Sequence, residues 1–214
     1  MTLLTFSAFI IPLWIAQFAL YFYLRRAGMI QESLIAKCAG SFLAVGSAAF
    51  ASIAKGGVLE VPLVFWFFVL CTIADALLEI NFVPGMLVFG AAHVCLILWL
   101  WGQASPTWWS LVLWAAVYLL TALLFRKELP NLGKLTVPFM LYPALLGGSV
   151  ALAVPLPFLL GAHWWPVALG GVMFYVSDML VAKNQLSHWG KKWQKPIMAL
   201  YWGALYLISV GLWL

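Results

Sequence analysis

Eight long apolar runs, set apart by short polar or proline-bearing breaks, organise the 214-residue chain. They cover about Leu3–Leu24, Ser33–Ala54, Val61–Glu79, Val83–Trp101, Thr107–Phe125, Leu135–Val154, His163–Lys183 and Pro196–Leu214. A transmembrane helix needs about 20 apolar residues, and each run is long enough for one. Pro62, Pro84, Pro106, Pro130, Pro155, Pro157, Pro166 and Pro196 lie at or near the ends of runs, where helices are punctuated. Pro138 and Pro143 fall inside the sixth run and predict a kink there.

Composition turns this pattern into a fold class. The chain is 66% hydrophobic and 8% charged, with a mean hydropathy of +1.06. A soluble domain carries about 25% charged residues, so this chain has too few to wrap a polar surface round a core. The expectation is an all-α integral membrane protein, a bundle of eight transmembrane helices forming one polytopic domain over residues 1–214. The first run has no basic residue before it and Arg25–Arg26 after it, the reverse of a secretory signal, and reads as a retained helix.

Charge then sets topology. Arg25, Arg26, Arg126, Lys127, Lys134, Lys183, Lys191, Lys192 and Lys195 fall in alternate connections, and the opposite set holds only Lys55. By the positive-inside rule the first set is cytoplasmic and both termini face outward. The net charge of +5 is therefore a topology signal and implies no nucleic-acid partner. The halves also look alike, with TIADALL in the third run echoed by YVSDMLV in the seventh. They read either as two parallel four-helix repeats or as evenly spaced helices that resemble one another. Cys38, Cys71 and Cys95 lie in apolar runs without a C-x-x-C and read as small buried hydrophobes.

Candidate chemistry lies in the polar residues inside the runs. Asp75 and Glu79 are one turn apart in the third, His93 is in the fourth, Asp178 in the seventh and Lys37 in the second. A carboxylate near the centre of a membrane helix costs about 2.5–3.5 kcal/mol on insertion scales, so such residues usually face a protein interior. Counted from the expected cytoplasmic ends, Lys37, Asp75, Asp178, Tyr142 and Tyr201 lie within about 10 Å of one plane by helix rise, with His93 deeper. This predicts a polar pocket open to the cytoplasmic leaflet. Each residue also has a plainer reading. Lys37 can snorkel to the interface and neutralise Asp75 without doing chemistry, Tyr142 and Tyr201 can anchor at an interface, Glu79 can mark a helix end, and His93 can be a hydrogen-bonded packing residue. Asp75 and Asp178 have the weakest structural alternative, since an apolar residue would pack better.

Several chemistries are excluded. His163 and His188 fall in loops on opposite sides of the membrane and do not converge with His93 as zinc ligands must. No G-x-S-x-G, P-loop or G-x-G-x-x-G occurs. Trp108–Trp109 and Trp164–Trp165 fit interfacial belts.

The sequence resembles the YhhN family, which comprises lysoplasmalogenases and their bacterial relatives. The residues that carry the resemblance are Lys37, AD-x-LL at Asp75, F-x-x-G-x-x-x-F at Phe82–Gly85–Phe89, His93, P-F-x-L-Y at Pro138–Tyr142, G-x-x-x-F-x-x-S-D from Gly170 through Phe174 and Ser177 to Asp178, and I-M-x-x-Y at Ile197–Tyr201. Ala74 stands where the family usually has glycine, and Leu205 where it usually has glutamine. The resemblance implies hydrolysis of the vinyl ether bond of a lysophospholipid, giving a fatty aldehyde and glycerophosphoethanolamine or glycerophosphocholine. It implies Asp75 and Asp178 as catalytic residues, with Lys37, Glu79, His93, Tyr142, Ser177 and Tyr201 supporting, no cofactor and no metal. The expected setting is a bacterial inner membrane. A proton-coupled carrier and a non-catalytic lipid-binding membrane protein are the rival classes. In the division of labour expected here, Lys37 holds Asp178 ionised as the base, and like charge from Glu79 keeps Asp75 protonated as the acid.

Overall fold

The computed structural model describes residues 3–54, 62–187 and 189–213. Lys55, Val61, His188 and Leu214, used in the expectations above, lie outside the described residues. Nine α-helices occur among the described residues: α1 Leu3–Arg26, α2 Ile30–Ala54, α3 Pro62–Ile80, α4 Phe82–Gln103, α5 Trp108–Leu124, α6 Thr136–Ala153, α7 Leu156–Leu160, α8 Trp165–Ser187 and α9 Gln194–Val210. Among the described residues seven segments are long and apolar enough to cross a membrane, with α6 and α7 together making one of them. The eighth apolar helix, α5, has 17 residues. At 1.5 Å per residue it rises about 26 Å, slightly short of a hydrocarbon core of about 30 Å. Its N-terminal end carries Trp108 and Trp109 stacked at 3.6 Å, both exposed, as interfacial aromatics are. The chain is an all-α multi-pass membrane protein, with eight apolar helical segments among the described residues.

Exposure follows the bilayer rather than water. Phe9, Leu13 and Ile15 on α1, and Leu111, Leu119, Leu120 and Leu123 on α5, are exposed. Apolar patches of this extent mark contact with lipid or a partner in ordinary proteins. The α7 helix is one departure from the expected elements. Pro157 sits in its first turn, where a missing N–H is harmless, so the chain re-enters helix where a plain connection was expected.

The chain divides into two compact units, residues 1–95 with 209–214 and residues 96–208. In the first, α2 packs against both α1 and α3. It can do so because most of its buried positions, among them Ser33, Ala36, Gly40, Ser41, Ala44, Ser47, Ala48 and Ala51, are small and let neighbouring helices approach closely. Two α1 side chains brace it: Trp14 Nε1 donates to Gly40 O at 2.7 Å and Gln17 Nε2 to Ala36 O at 2.6 Å. One residue joins α3 to α4. Asn81 Oδ1 accepts the Val83 N–H at 3.2 Å, capping α4. A Cβ at Gly85 would stand 2.7 Å from the Leu78 nitrogen, so only glycine lets α4 turn back this tightly.

In the second unit α6 packs against α5 and α8. The face of α8 that carries Gly170, Phe174 and Ser177 meets α9. A Cβ on Gly170 would stand 2.9 Å from Ile208 Cγ1 and 3.0 Å from Ala204 O. One turn on, Phe174 packs edge-on to Tyr201 at 5.4 Å, and Ser177 Oγ donates to Ile197 O at 3.0 Å.

Candidate functional site

The site residues of the first unit gather on the facing surfaces of α2 and α3. Lys37 and Ser41 are four apart on α2, and Asp75 and Glu79 four apart on α3, so each pair lies on one helix face. Lys37 Nζ stands 3.3 Å from Asp75 Oδ1 and 3.8 Å from Glu79 Oε1, and reaches the Asp75 carbonyl at 3.5 Å. Ser41 Oγ donates to Asp75 Oδ2. Arg25, in the last turn of α1, donates through Nη2 to both Glu79 oxygens at 2.9 and 3.0 Å. Asp75 is 2% exposed and Lys37 7%. The side chains of Arg25 and Glu79, at 20% and 27%, reach outward.

Buried charges persist only when paired and hydrogen-bonded, and here two cations meet two carboxylates. The expected division of labour needs correction at this point. Asp75 was to be the carboxyl without a cation, pressed by like charge from Glu79. Instead the Lys37 ammonium sits against Asp75, and Glu79 is held by Arg25. Depth along a helix gave the height of Lys37 but not the direction in which its side chain leaves α2. Ser41 and Arg25 were missed as members of the cluster. Ser41 is detectable as the residue one turn from Lys37, while Arg25 ends a span next to Arg26 and carries a topology signal that masks its role.

In the second unit, Asp178 follows Ser177 and so points about 100° round α8 from the α9 seam. There Tyr142, on α6, donates its hydroxyl to Asp178 Oδ2. Both are half-buried. The G-x-x-x-F-x-x-S-D element therefore has two tasks: Gly170, Phe174 and Ser177 dock α8 on α9, and Asp178 meets α6. Ser177 and Tyr201 both belong to the docking seam by the contacts above. Farther along α8, Lys183 bonds Glu128 at 2.7 Å, and its ammonium lies 4.7 Å from the Phe125 ring centroid. Ser187 also donates to Glu128, at 3.0 Å. Glu128 lies in the α5–α6 connection, and the bond from Lys183 holds its carboxyl below the ordinary range.

His93 is fully buried on α4 and packs edge-on to Phe67 of α3 at 6.0 Å. Among the described residues no three His, Cys, Asp or Glu side chains gather as a metal-binding group.

A protein-family model described as the YhhN family matches residues 32–212. No curated protein and no solved structure matches the chain.

Proposed function

The chain belongs to the YhhN family, and on that footing we propose that it is a lysoplasmalogenase-like hydrolase cleaving the vinyl ether bond of lysoplasmalogens. The observation that carries the reading is the unlike setting of two intramembrane carboxyl groups. Asp75 is buried against an ammonium and a serine hydroxyl. Asp178 is half-buried against a phenol.

Vinyl ether hydrolysis asks for such a difference. A proton is delivered to the β-carbon, and the double-bond electrons form the new C–H bond. The ether oxygen then shares the positive charge as an oxocarbenium ion. Water adds to that carbon and loses a proton, and the hemiacetal collapses to a fatty aldehyde and a glycerophospho-alcohol. One carboxyl group must give a proton while the other is ionised, the division that unlike environments impose. In the first unit Asp75, paired with Lys37, has the setting of a carboxylate that steadies a cation and takes a proton from water. In the second unit Asp178 has the setting suited to the acid, with Tyr142 as the hydroxyl through which its proton is restored. These roles reverse the expectation from sequence, because Lys37 is found on Asp75. Glu79 and His93 support the first group, Ser177 and Tyr201 the second.

The same reading takes the lysolipid from the cytoplasmic leaflet of a bacterial inner membrane, with both termini outside, on the nine-to-one distribution of basic residues. Purified protein in detergent, incubated with vinyl-ether, alkyl-ether and ester lysolipids, tests it by mass spectrometry. Aldehyde from the vinyl ether alone is expected. A proton-coupled carrier or a lipid-binding protein would release none.

A further inference from the structure

Arg25 precedes the segment matched by the family model, residues 32–212, yet it is one of the four charged side chains in the α2–α3 cluster. Asp75 and Glu79 present two carboxylates, one turn apart, to a single ammonium. Coulomb attraction falls only as the inverse of distance, so at 3.3 and 3.8 Å the two pull on Lys37 with nearly equal strength. Which one it serves is decided by what else neutralises each. Arg25 Nη2 donates to both oxygens of Glu79, and its guanidinium is itself steadied 5.8 Å over the ring of Tyr21, a buried residue on the same helix.

We propose that Arg25 is a positioning residue: by engaging Glu79 it leaves Lys37 committed to Asp75. The proposal rests on the functional role given to Asp75 above. The lysine ammonium is a compact charge on a flexible stem, so it swings readily between two acceptors one helical turn apart. Without Arg25, Glu79 becomes the more exposed and less compensated carboxylate and draws Lys37 toward the helix ends. Asp75 then keeps the Ser41 hydroxyl but loses its counter-charge.

The test uses the full chain with Arg25→Ala, Arg25→Gln and Arg25→Lys, each in the wild-type and Glu79→Gln backgrounds. Two quantities are read. One is kcat and KM on a vinyl-ether lysolipid; the other is the infrared carboxylate band of Asp75, assigned by its loss in Asp75→Asn. Removing Arg25 should lower kcat about tenfold at unchanged KM, the size of coupling found between contacting charges, and should shift the Asp75 band. Arg25→Lys should recover part of both. In the Glu79→Gln background the loss should shrink to about twofold, since the competing carboxylate is gone. A rise in KM alone, equal losses in both backgrounds, or an unmoved Asp75 band in both Arg25→Ala and Arg25→Gln would overturn the proposal. The infrared arm needs no turnover. A wild-type protein that cleaves no lysolipid would therefore refute the proposed function while the band still decides the role of Arg25.

Discussion

Lys37 and Asp75 form a buried ion pair, Nζ to Oδ1 at 3.3 Å, between adjacent helices of a membrane protein. Breaking a buried pair by removing one partner costs roughly 3–5 kcal/mol, mostly by stranding the other charge. Lys37→Met should therefore lower the thermal midpoint in detergent sharply. Adding Asp75→Asn should restore much of it, since neither charge is then left over, yet activity should stay lost. Stability that fails to recover in the double variant would mean that Lys37 supports the fold through contacts other than this pair.

Asp75→Asn and Asp178→Asn should each lower turnover at least about 100-fold, the low end of what a general acid or base contributes. Tyr142→Phe removes the hydroxyl that bonds Asp178 and should cost less than the loss of Asp178 itself. Turnover is compared well below each variant's melting midpoint, since Asp75→Asn also strands the Lys37 ammonium. Near-normal turnover in either aspartate variant would reduce that residue to a structural role.

The helices were legible in the sequence because a bilayer demands runs of about 20 apolar residues and tolerates few substitutes. That α2 would be flanked on two sides by α1 and α3 was legible only in hindsight, from its repeated Ser, Ala and Gly. Partner choice was hidden for a geometric reason. Residue spacing gives height along a helix and rough facing, but an ammonium on a flexible stem can serve any acceptor within its sweep, so Asp178 was preferred as its partner and Asp75 entered only as the snorkelling alternative. Gly170 and Ser177 were read as parts of one signature with Asp178. Their backbone approach to Ala204 and their bond to Ile197 separate docking from chemistry.

Gly170→Ala should destabilise the protein by about 1–3 kcal/mol, the usual cost of overpacking, because the new methyl would press on the Ala204 carbonyl and the Ile208 backbone. Gly203→Ala is the control. Its methyl would meet only the tip of Met173, Cε at 2.6 Å, which can swing away. Equal melting losses in the two variants would contradict a rigid α8–α9 seam.

Glu128 provides a pH dependence. Its folded carboxyl titrates below the ordinary value of 4.5 because Lys183 hydrogen-bonds it. A depressed carboxyl stabilises the fold fully above the unfolded value, and that contribution disappears as pH falls through the folded one. Wild-type protein should therefore lose more melting temperature than Glu128→Gln on acidification below the ordinary glutamate range. Parallel curves for the two proteins would show that the Lys183–Glu128 bond does not couple to folding.

Hydrolysis in heavy water, with heavy-oxygen label and product masses recorded, bears most directly on the reaction assigned to Asp75 and Asp178. Protonation at the β-carbon places one solvent deuterium on the carbon next to the aldehyde, and water attack at the vinyl carbon leaves the glycerophospho-alcohol with its original oxygen. The wild type should give both signatures from a vinyl-ether lysolipid, with neither product formed by Asp178→Asn above background. An aldehyde without that deuterium, labelled oxygen in the glycerophospho product, or no aldehyde at all from the wild type would contradict vinyl ether hydrolysis by this pair.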